Sequence, residues 1–504
     1  MALFFNQTLV IRYKPKPVEE EIQVLKKHKA THSQTNITLE KQLQWDQLLL
    51  EIQNIYSAKH HNDLPTSLSL SLNNMTKRAS SSNVPSKKLF EFCMEKKKDK
   101  LVRIVEQIIP DGIFPKHITG KLYDIKVGGG GPDDKIYNKH ADLRRFIPRG
   151  TTLMSIKGVS NEETLDVALY ATKKFTGGIG DEDESQPETD EIWRSYCLEN
   201  PDEAEKVVVM EKLNGEAAHL GGRFIDGKFY IITGSKNVHM LIGCEEDIEK
   251  YEGDRYKHAT VIAKAVWKHL IQMEEKNRQI LFSLLHHTKG TIVCEILLPD
   301  NHHIVNLSDV KEPSLHVLSM TPTASDNDET SLTALPPHHC LELVTVLGFT
   351  AAPYQIIERN ACDKLMQQSR KEMHKEGYVL YYLKNSEDYE NTIGMAKTKT
   401  VWYVLLRALR EKAVFAFTAA KKRNGWSLED RINSTHKRLN EIQSWLKFSN
   451  EYLAEWKKLS GEFLNWLNGE INTNSEAAEN IRPRFPIIWD RFLENTGNQL
   501  SPVK

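Results

Sequence analysis

Residues 207–216 read VVVMEKLNGE: four apolar positions, a carboxylate, then a lysine delivered onto Asn-Gly. So apolar a run is a strand that must be buried. It ends by setting one amine, Lys212, at the mouth of the buried layer, beside a glycine that lets another group approach the backbone. Taken alone, a lysine at a strand end reads as a solvated residue. A covalent role requires its ordinary value near 10.4 to fall by a few units, each worth roughly 1.4 kcal/mol, and burial and neighbouring cations both act in that direction. Lys212 is therefore a candidate nucleophile, to be weighed against what the rest of the chain supplies.

The chain has 504 residues, enough for two or three domains, and its 67 basic and 68 acidic side chains nearly cancel. A nucleic-acid partner would have to be held by local basic patches and not by a bulk positive field. No run of 18 apolar residues occurs, which argues against a membrane span. The opening MALFFNQTLVIRYKPK has too short and interrupted an apolar core for a secretory signal, so the cytosol or nucleus is expected. Six cysteines, none in a Cys-x-x-Cys pair, argue against a zinc ribbon and a disulfide scaffold. Histidine pairs at 286, 302 and 338, the last followed by Cys340, invite a metal reading that lacks matched spacing.

Three regions are expected. Residues 1–110 form an N-terminal extension, with a helical pattern over 39–52 and a Ser- and Asn-rich linker near 62–86. The stretch KKLFEFCMEKKKDKLVRIVEQII that follows is basic and amphipathic, and most simply a solvated face. Residues 111–411 form the central domain. Within it, glycines 128–131 suggest a flexible turn, and GDEDESQPETDE at 180–191 a surface insertion. FIDGKFYI predicts a tight hairpin about Asp226-Gly227, and TIVCEILL a buried strand. A polar loop over 319–337 precedes two more strands, GYVLYYL and the run around Val401. Residues 412–504 form a helical domain, where Leu439, Ile442, Leu446, Leu453, Trp456, Leu459, Phe463 and Leu467 follow the period of one long amphipathic helix. Its tryptophans, Trp445, Trp456, Trp466 and Trp489, suit an apolar face better than a base-stacking surface.

A lysine that takes a nucleotide from a nucleoside triphosphate needs fixed cations or a metal at the α-phosphate and groups that hold base and ribose. Glu295 lies inside the apolar strand IVCEIL, where a carboxylate is costly unless it is hydrogen-bonded or faces a cleft. Glu376 stands at a strand entrance before Gly377 and suits a hard cation such as Mg2+. Lys397 and Lys399 alternate with Thr398, so on a strand both amines share one face and invite an anion between them.

The ordered segments EKLNGE, ITGSKN, CEILLPDNHHIV, EGYVLYY and AKTKTVWYVLLRALR resemble the motif set of the covalent nucleotidyltransferase superfamily, which includes ATP-dependent RNA and DNA ligases and capping enzymes. The nearest resemblance is to the bacteriophage tRNA-repair RNA ligases and the fungal tRNA ligase adenylyltransferase domain, over roughly residues 140–410. It implies an α+β fold: an antiparallel-sheet, ATP-grasp-like nucleotidyltransferase core between an N-terminal extension and a C-terminal all-α domain. It implies ATP with Mg2+ or Mn2+ as cofactors, and RNA with 5′-phosphate and 3′-hydroxyl ends, such as tRNA, as partner. Lys212 would carry the adenylate, Glu376 would support the metal, and Lys397 and Lys399 would grip the α-phosphate. Glu211, Gly215, Lys236 and Glu295 would contact ATP, the last at its ribose. FIPRGTTL and KKFTGG resemble further family segments, so Arg149 and Lys174 would meet the leaving pyrophosphate, with Phe175 beside them. The family's first motif reads Lys-x-Asp-Gly, whereas Asn214 stands here and removes a charge. A guanylyltransferase using GTP, and an RNA-binding protein that has lost catalysis, are the competing expectations.

Overall fold

The computed structural model describes residues 42–128, 133–158, 162–177, 190–299, 303–325, 329–419 and 427–503. The start of the 39–52 pattern, three of the four consecutive glycines and nearly all of the acidic insertion lie outside them. Among the described residues the strands form three sheets. The first is an antiparallel meander of β1 (Val102–Ile108), β2 (Thr119–Val127), β3 (Thr151–Lys157) and β4 (Glu163–Tyr170).

The other two sheets position the site. Strands β5 (Lys206–Lys212), β12 (Tyr354–Glu358), β13 (Gly377–Ser386) and β14 (Tyr389–Lys399) form one, in the order β12-β5-β13-β14, antiparallel throughout. The second has the order β11-β10-β9-β6-β7-β8. It comprises β6 (Glu216–Ile225), β7 (Lys228–Ser235), β8 (His239–Ile242), β9 (Thr291–Leu297), β10 (Ser314–Thr321) and β11 (Thr350–Ala351), with only β10 and β11 parallel. The chain leaves one sheet at Lys212 and joins the next at Glu216. The Lys-Leu-Asn-Gly segment is thus the crossover between them.

Local chemistry explains the elements. The β6–β7 hairpin turns at Asp226 and Gly227, both at positive φ, with Ile225 opposite Lys228, as the Asp-Gly pair predicts. Val207 to Met210 are fully buried, so the apolar run on β5 is a two-sided core strand. Helices Trp45–His60, Thr66–Ser80, Lys257–Gln272, Glu275–Thr288 and Pro337–Val346 lay apolar faces into the same large core.

Three expectations are corrected. The polar tract near 62–86 is not a linker: Leu68, Leu72, Met75 and Ala79 recur along one buried face of helix Thr66–Ser80, while most of its Ser and Asn side chains point elsewhere. The run around Val401 is a helix, Val401–Val414, because Thr400 caps it by accepting from the Tyr403 amide. The single long C-terminal helix is two, Leu428–Leu446 and Asn450–Asn472, broken where Lys447 takes a left-handed conformation. These helices and Phe485–Thr496 share a second core, into which Val401 to Leu406 and Ile304 also pack. Trp456 and Trp489 are buried within it, their rings stacked 6.1 Å apart, as an apolar face requires. All six cysteines are free thiols, and no described helix is long and apolar enough to cross a membrane.

Candidate active site

The register of the β5–β13–β14 ladder builds the centre of the site. Lys212 lies opposite Gly377, and Gly377 opposite Lys399. One row along, Met210, Val379 and Lys397 line up in the same way. Residues directly opposite in antiparallel strands share a face, so Lys212, Lys397 and Lys399 rise from one side of the sheet. Gly377, at φ +143°, sits between two of them, and a Cβ there would meet the Thr398 carbonyl oxygen at 2.0 Å. No side chain stands between Lys212 and Lys399.

A cavity of about 250 Å³ opens over this face, between the two sheets. Met210, Val293, Leu318, Val379 and Phe175 give it an apolar wall, and Lys212, Glu295, Lys397, Arg149, Lys174 and Lys236 line it as charged residues; Glu211 borders it too, with its carboxylate 3.3 Å from Lys375 Nζ. Nine of the eleven site residues expected from sequence are therefore at the cavity or, for Glu376, in contact with a residue lining it. Lys399 is buried one row away, its ammonium 5.8 Å from the Tyr403 ring. Gly215 is not at the cavity: its missing Cβ is used by the chain itself, since one would lie 2.3 Å from the Ile296 carbonyl oxygen. Its amide donates to Glu295 Oε1 at 3.1 Å.

The protonation of Lys212 departs from expectation. Its Nζ lies 3.0 Å from Oε1 of the buried Glu376. Burial pulls the lysine down, but the Glu376 and Glu295 carboxylates outweigh both burial and the repulsion of Lys399, and the net shift is upward. The carboxylates beside it thus favour the charged form of the lysine. Glu295 is pushed up to about 7, first by burial and then by Glu376, against the pull of Lys212.

Asn214 is a hub. Its Nδ2 donates to Glu376 Oε2 at 2.6 Å and to the Tyr403 hydroxyl at 3.3 Å, and its Oδ1 accepts from the amides of Ile304 and Val305 at 2.8 and 2.9 Å. Two backbone donors fix which end of the amide is oxygen. An aspartate would set a second carboxylate against Glu376. The Asn214 amide thus has its own chemistry here.

At the far end, Arg149, Lys174 and Lys236 converge on a pair of carboxylates that sequence reasoning did not single out. Arg149 Nη2 lies 2.8 Å from Asp133 and 3.3 Å from Asp134. Lys236 pairs with Asp133 at 3.1 Å, and the buried Lys174 pairs with Asp134. Burial, then Lys397 and Arg149, bring Lys174 down to about 8, while Asp134 is held far below the ordinary carboxylate range despite its burial. Their only signal in the sequence was two acids following the glycine run after Pro132. A further buried chain runs from the cavity wall: His219 Nδ1 meets His239 Nε2 at 3.1 Å, His239 Nδ1 meets Asp124 at 2.9 Å, and Asp124 accepts from Arg255 at 2.9 Å. Burial drives His219 down to about 3, so it is a neutral imidazole locked in orientation.

The donor set fits a hard divalent cation, since Glu376 and Glu295 both bring carboxylate charge to Lys212. It also fits a polyanion, because three cations crowd the opposite end.

No curated protein matches the chain. Among solved structures, a mutant of Naegleria gruberi RNA ligase with ATP and Mn is 12% identical, covering 61% of this chain and 98% of that one at a TM-score of 0.29. An apo mutant of the same ligase is 13% identical, covering 60% and 97%, at 0.28. Another, with AMP and Mn, is 11% identical, covering 60% and 98%, at 0.28. The family model described as "Domain of unknown function (DUF7920)" matches residues 125–410, more than half of the chain and the whole span from β3 to the Val401–Val414 helix, and the protein belongs to that family.

Proposed function

We propose that this protein is an ATP-dependent RNA ligase that joins a 5′-phosphate to a 3′-hydroxyl through a lysyl-adenylate and an adenylated RNA. The observation that carries the reading is the convergence of Lys212, Glu376, Glu295, Lys397 and three further cations on one cavity with an apolar wall. The order of motifs along the chain supports it as well.

The apolar wall suits a nucleobase, and Glu295 suits the ribose hydroxyls. Glu376 is the carboxylate that would hold Mg2+ or Mn2+, and the bound ion supplies positive charge that offsets Glu376 and the substrate phosphates. Were Glu376 so engaged, burial and Lys399 would be opposed at Lys212 by Glu295 alone, which would favour loss of its proton to solvent. The neutral amine attacks the α-phosphorus; an N–P bond forms, the bond to pyrophosphate breaks in line, and the nitrogen sheds one further proton to solvent. Arg149, Lys174 and Lys236 receive the leaving charge once Asp133 and Asp134 yield them. AMP then passes to the RNA 5′-phosphate, and a 3′-hydroxyl displaces it.

Incubation with α-labelled ATP and Mg2+ or Mn2+, read by autoradiography and intact mass, tests this. One AMP adduct per chain, lost in Lys212→Ala, is expected. A folded wild-type chain that stays unlabelled with either metal overturns the reading, and preferential labelling by GTP turns it toward a guanylyltransferase. A second incubation with 5′-phosphorylated RNA tests the later steps by the appearance of adenylated or sealed strands.

A further inference from the structure

A second cluster of ligating side chains lies away from the cavity. His338 and His339 open the helix Pro337–Val346 and face Glu390 at the start of β14. His338 Nε2 lies 3.3 Å and His339 Nε2 3.4 Å from the same oxygen, Glu390 Oε2. Both separations are long for a charge-assisted hydrogen bond, which runs about 2.7–2.9 Å. They match what an ion would impose, because tetrahedral zinc with bonds of about 2.0–2.1 Å sets neighbouring ligand atoms about 3.3 Å apart. All three donor atoms lie within 4.8 Å of one another.

The surroundings are built as metal sites are built. His339 Nδ1 is 2.9 Å from Glu342 Oε2, which also accepts from the Tyr56 hydroxyl at 2.7 Å. An imidazole that gives its second N–H to a carboxylate has its ring and tautomer fixed and its other nitrogen made a better donor to metal. Glu390 Oε1 is turned toward Lys206 Nζ at 3.6 Å, leaving Oε2 as a single ligand. His338 is more than nine-tenths buried, but its Nδ1 has no hydrogen-bond partner, so of the pair only His339 has such a positioning contact. Glu390 also borders a cavity of about 710 Å³, through which a water could reach a fourth position.

We propose that His338, His339 and Glu390 bind a zinc-class transition-metal ion, with Glu342 positioning His339. Two imidazoles and one carboxylate favour such an ion over Mg2+, which takes oxygen ligands. The ion ties the 337–346 helix to the outer end of the strand that carries Lys397 and Lys399. It is separate from the cation that Glu376 would hold.

The test strips the full-length protein with a chelator, dialyses it against Zn2+ with excess Mg2+, and counts bound zinc by mass spectrometry. About one zinc per chain is expected, and Glu342→Gln should weaken it about 10–100-fold in competition with a chromophoric chelator. His338→Gln or Glu390→Gln should abolish retention, and Glu376→Gln should leave it unchanged. Should those variants misfold, X-ray absorption on the zinc-loaded wild type decides by itself, with imidazole scattering expected. Less than about one-tenth of a zinc per chain, a spectrum without imidazole, or unchanged retention in folded His338→Gln and Glu390→Gln overturns the proposal.

Discussion

Replacing Asn214 by aspartate restores the residue that the resembling motif carries, yet it should damage this protein. The Ile304 and Val305 amides would hold one carboxylate oxygen, and the other would face Glu376 Oε2, where the amide now donates at 2.6 Å. Two unit charges 4 Å apart repel by about 4 kcal/mol at an effective dielectric of 20. The alternative is a proton shared between the carboxylates. At pH 7 that costs about 1.4 kcal/mol for each of roughly three units above the ordinary aspartate value, again about 4 kcal/mol. The expected loss is therefore about 3–4 kcal/mol at pH 7, shrinking to about 1.5 kcal/mol at pH 5. The sign follows from linkage. The shared proton raises the pair's folded value, so stability is kept below the unfolded value near 4 and lost as pH rises. Urea unfolding of wild type, Asn214→Asp and Asn214→Ala between pH 5 and 8, with a chelator present, measures this. The alanine variant should lose about 1–3 kcal/mol with little dependence on pH. An aspartate variant as stable as wild type at pH 7, or one whose deficit does not change with pH, refutes the reasoning.

Three further outcomes are expected. Lys212 is shifted above its ordinary value, so its pairing with Glu376 stabilises at neutral pH and is lost as pH rises through that higher value; single-turnover adenylation should correspondingly climb with pH at fixed Mg2+, and a flat profile between pH 6 and 9 would exclude a proton-limited amine. Asp133→Asn with Asp134→Asn frees Arg149, Lys174 and Lys236, and should tighten tripolyphosphate binding about tenfold by calorimetry, or about 1.4 kcal/mol; unchanged affinity would mean that the acids do not compete for those cations. Gly377→Ala places a Cβ against the Thr398 carbonyl at a positive φ, and should cost about 2–4 kcal/mol in denaturant midpoint analysis, with a wild-type midpoint counting against the geometry.

What could be seen in the sequence was what short-range pattern determines. The Asp226-Gly227 hairpin, the apolar strands carrying Lys212 and Glu295, and the Gly377 strand each announce themselves within ten residues. What could not be seen was whatever depends on which distant segments meet. Serines and asparagines around Leu68 and Leu72 obscured a helix whose buried stripe is narrow. Val401 to Leu406 read as a strand because all six residues are buried, and a run buried on every side has no helical period to display. Asp133 and Asp134 carried no motif, and their role comes from three cations contributed by separate segments. The His338 pair lacked spaced partners because Glu390 reaches its helix from a strand about fifty residues on. The lowered lysine expected at 212 failed because Glu376 lies 3.0 Å away, a distance no linear reading contains.

The alignment of Lys212, Gly377 and Lys399 makes the sheet itself the ruler of the site. Sliding β13 by a single residue would turn every side chain on it to the opposite surface and draw Tyr378 into the gap that glycine keeps clear. The pairing of β13 with β14 is uninterrupted from Gly377 to Tyr382, and its one irregularity falls between Tyr382 and Leu383, on the side toward the hairpin turn. Insertions or deletions at that turn can therefore be taken up before they reach the lysines, whereas a single residue added between Tyr382 and Glu376 has nowhere to be absorbed.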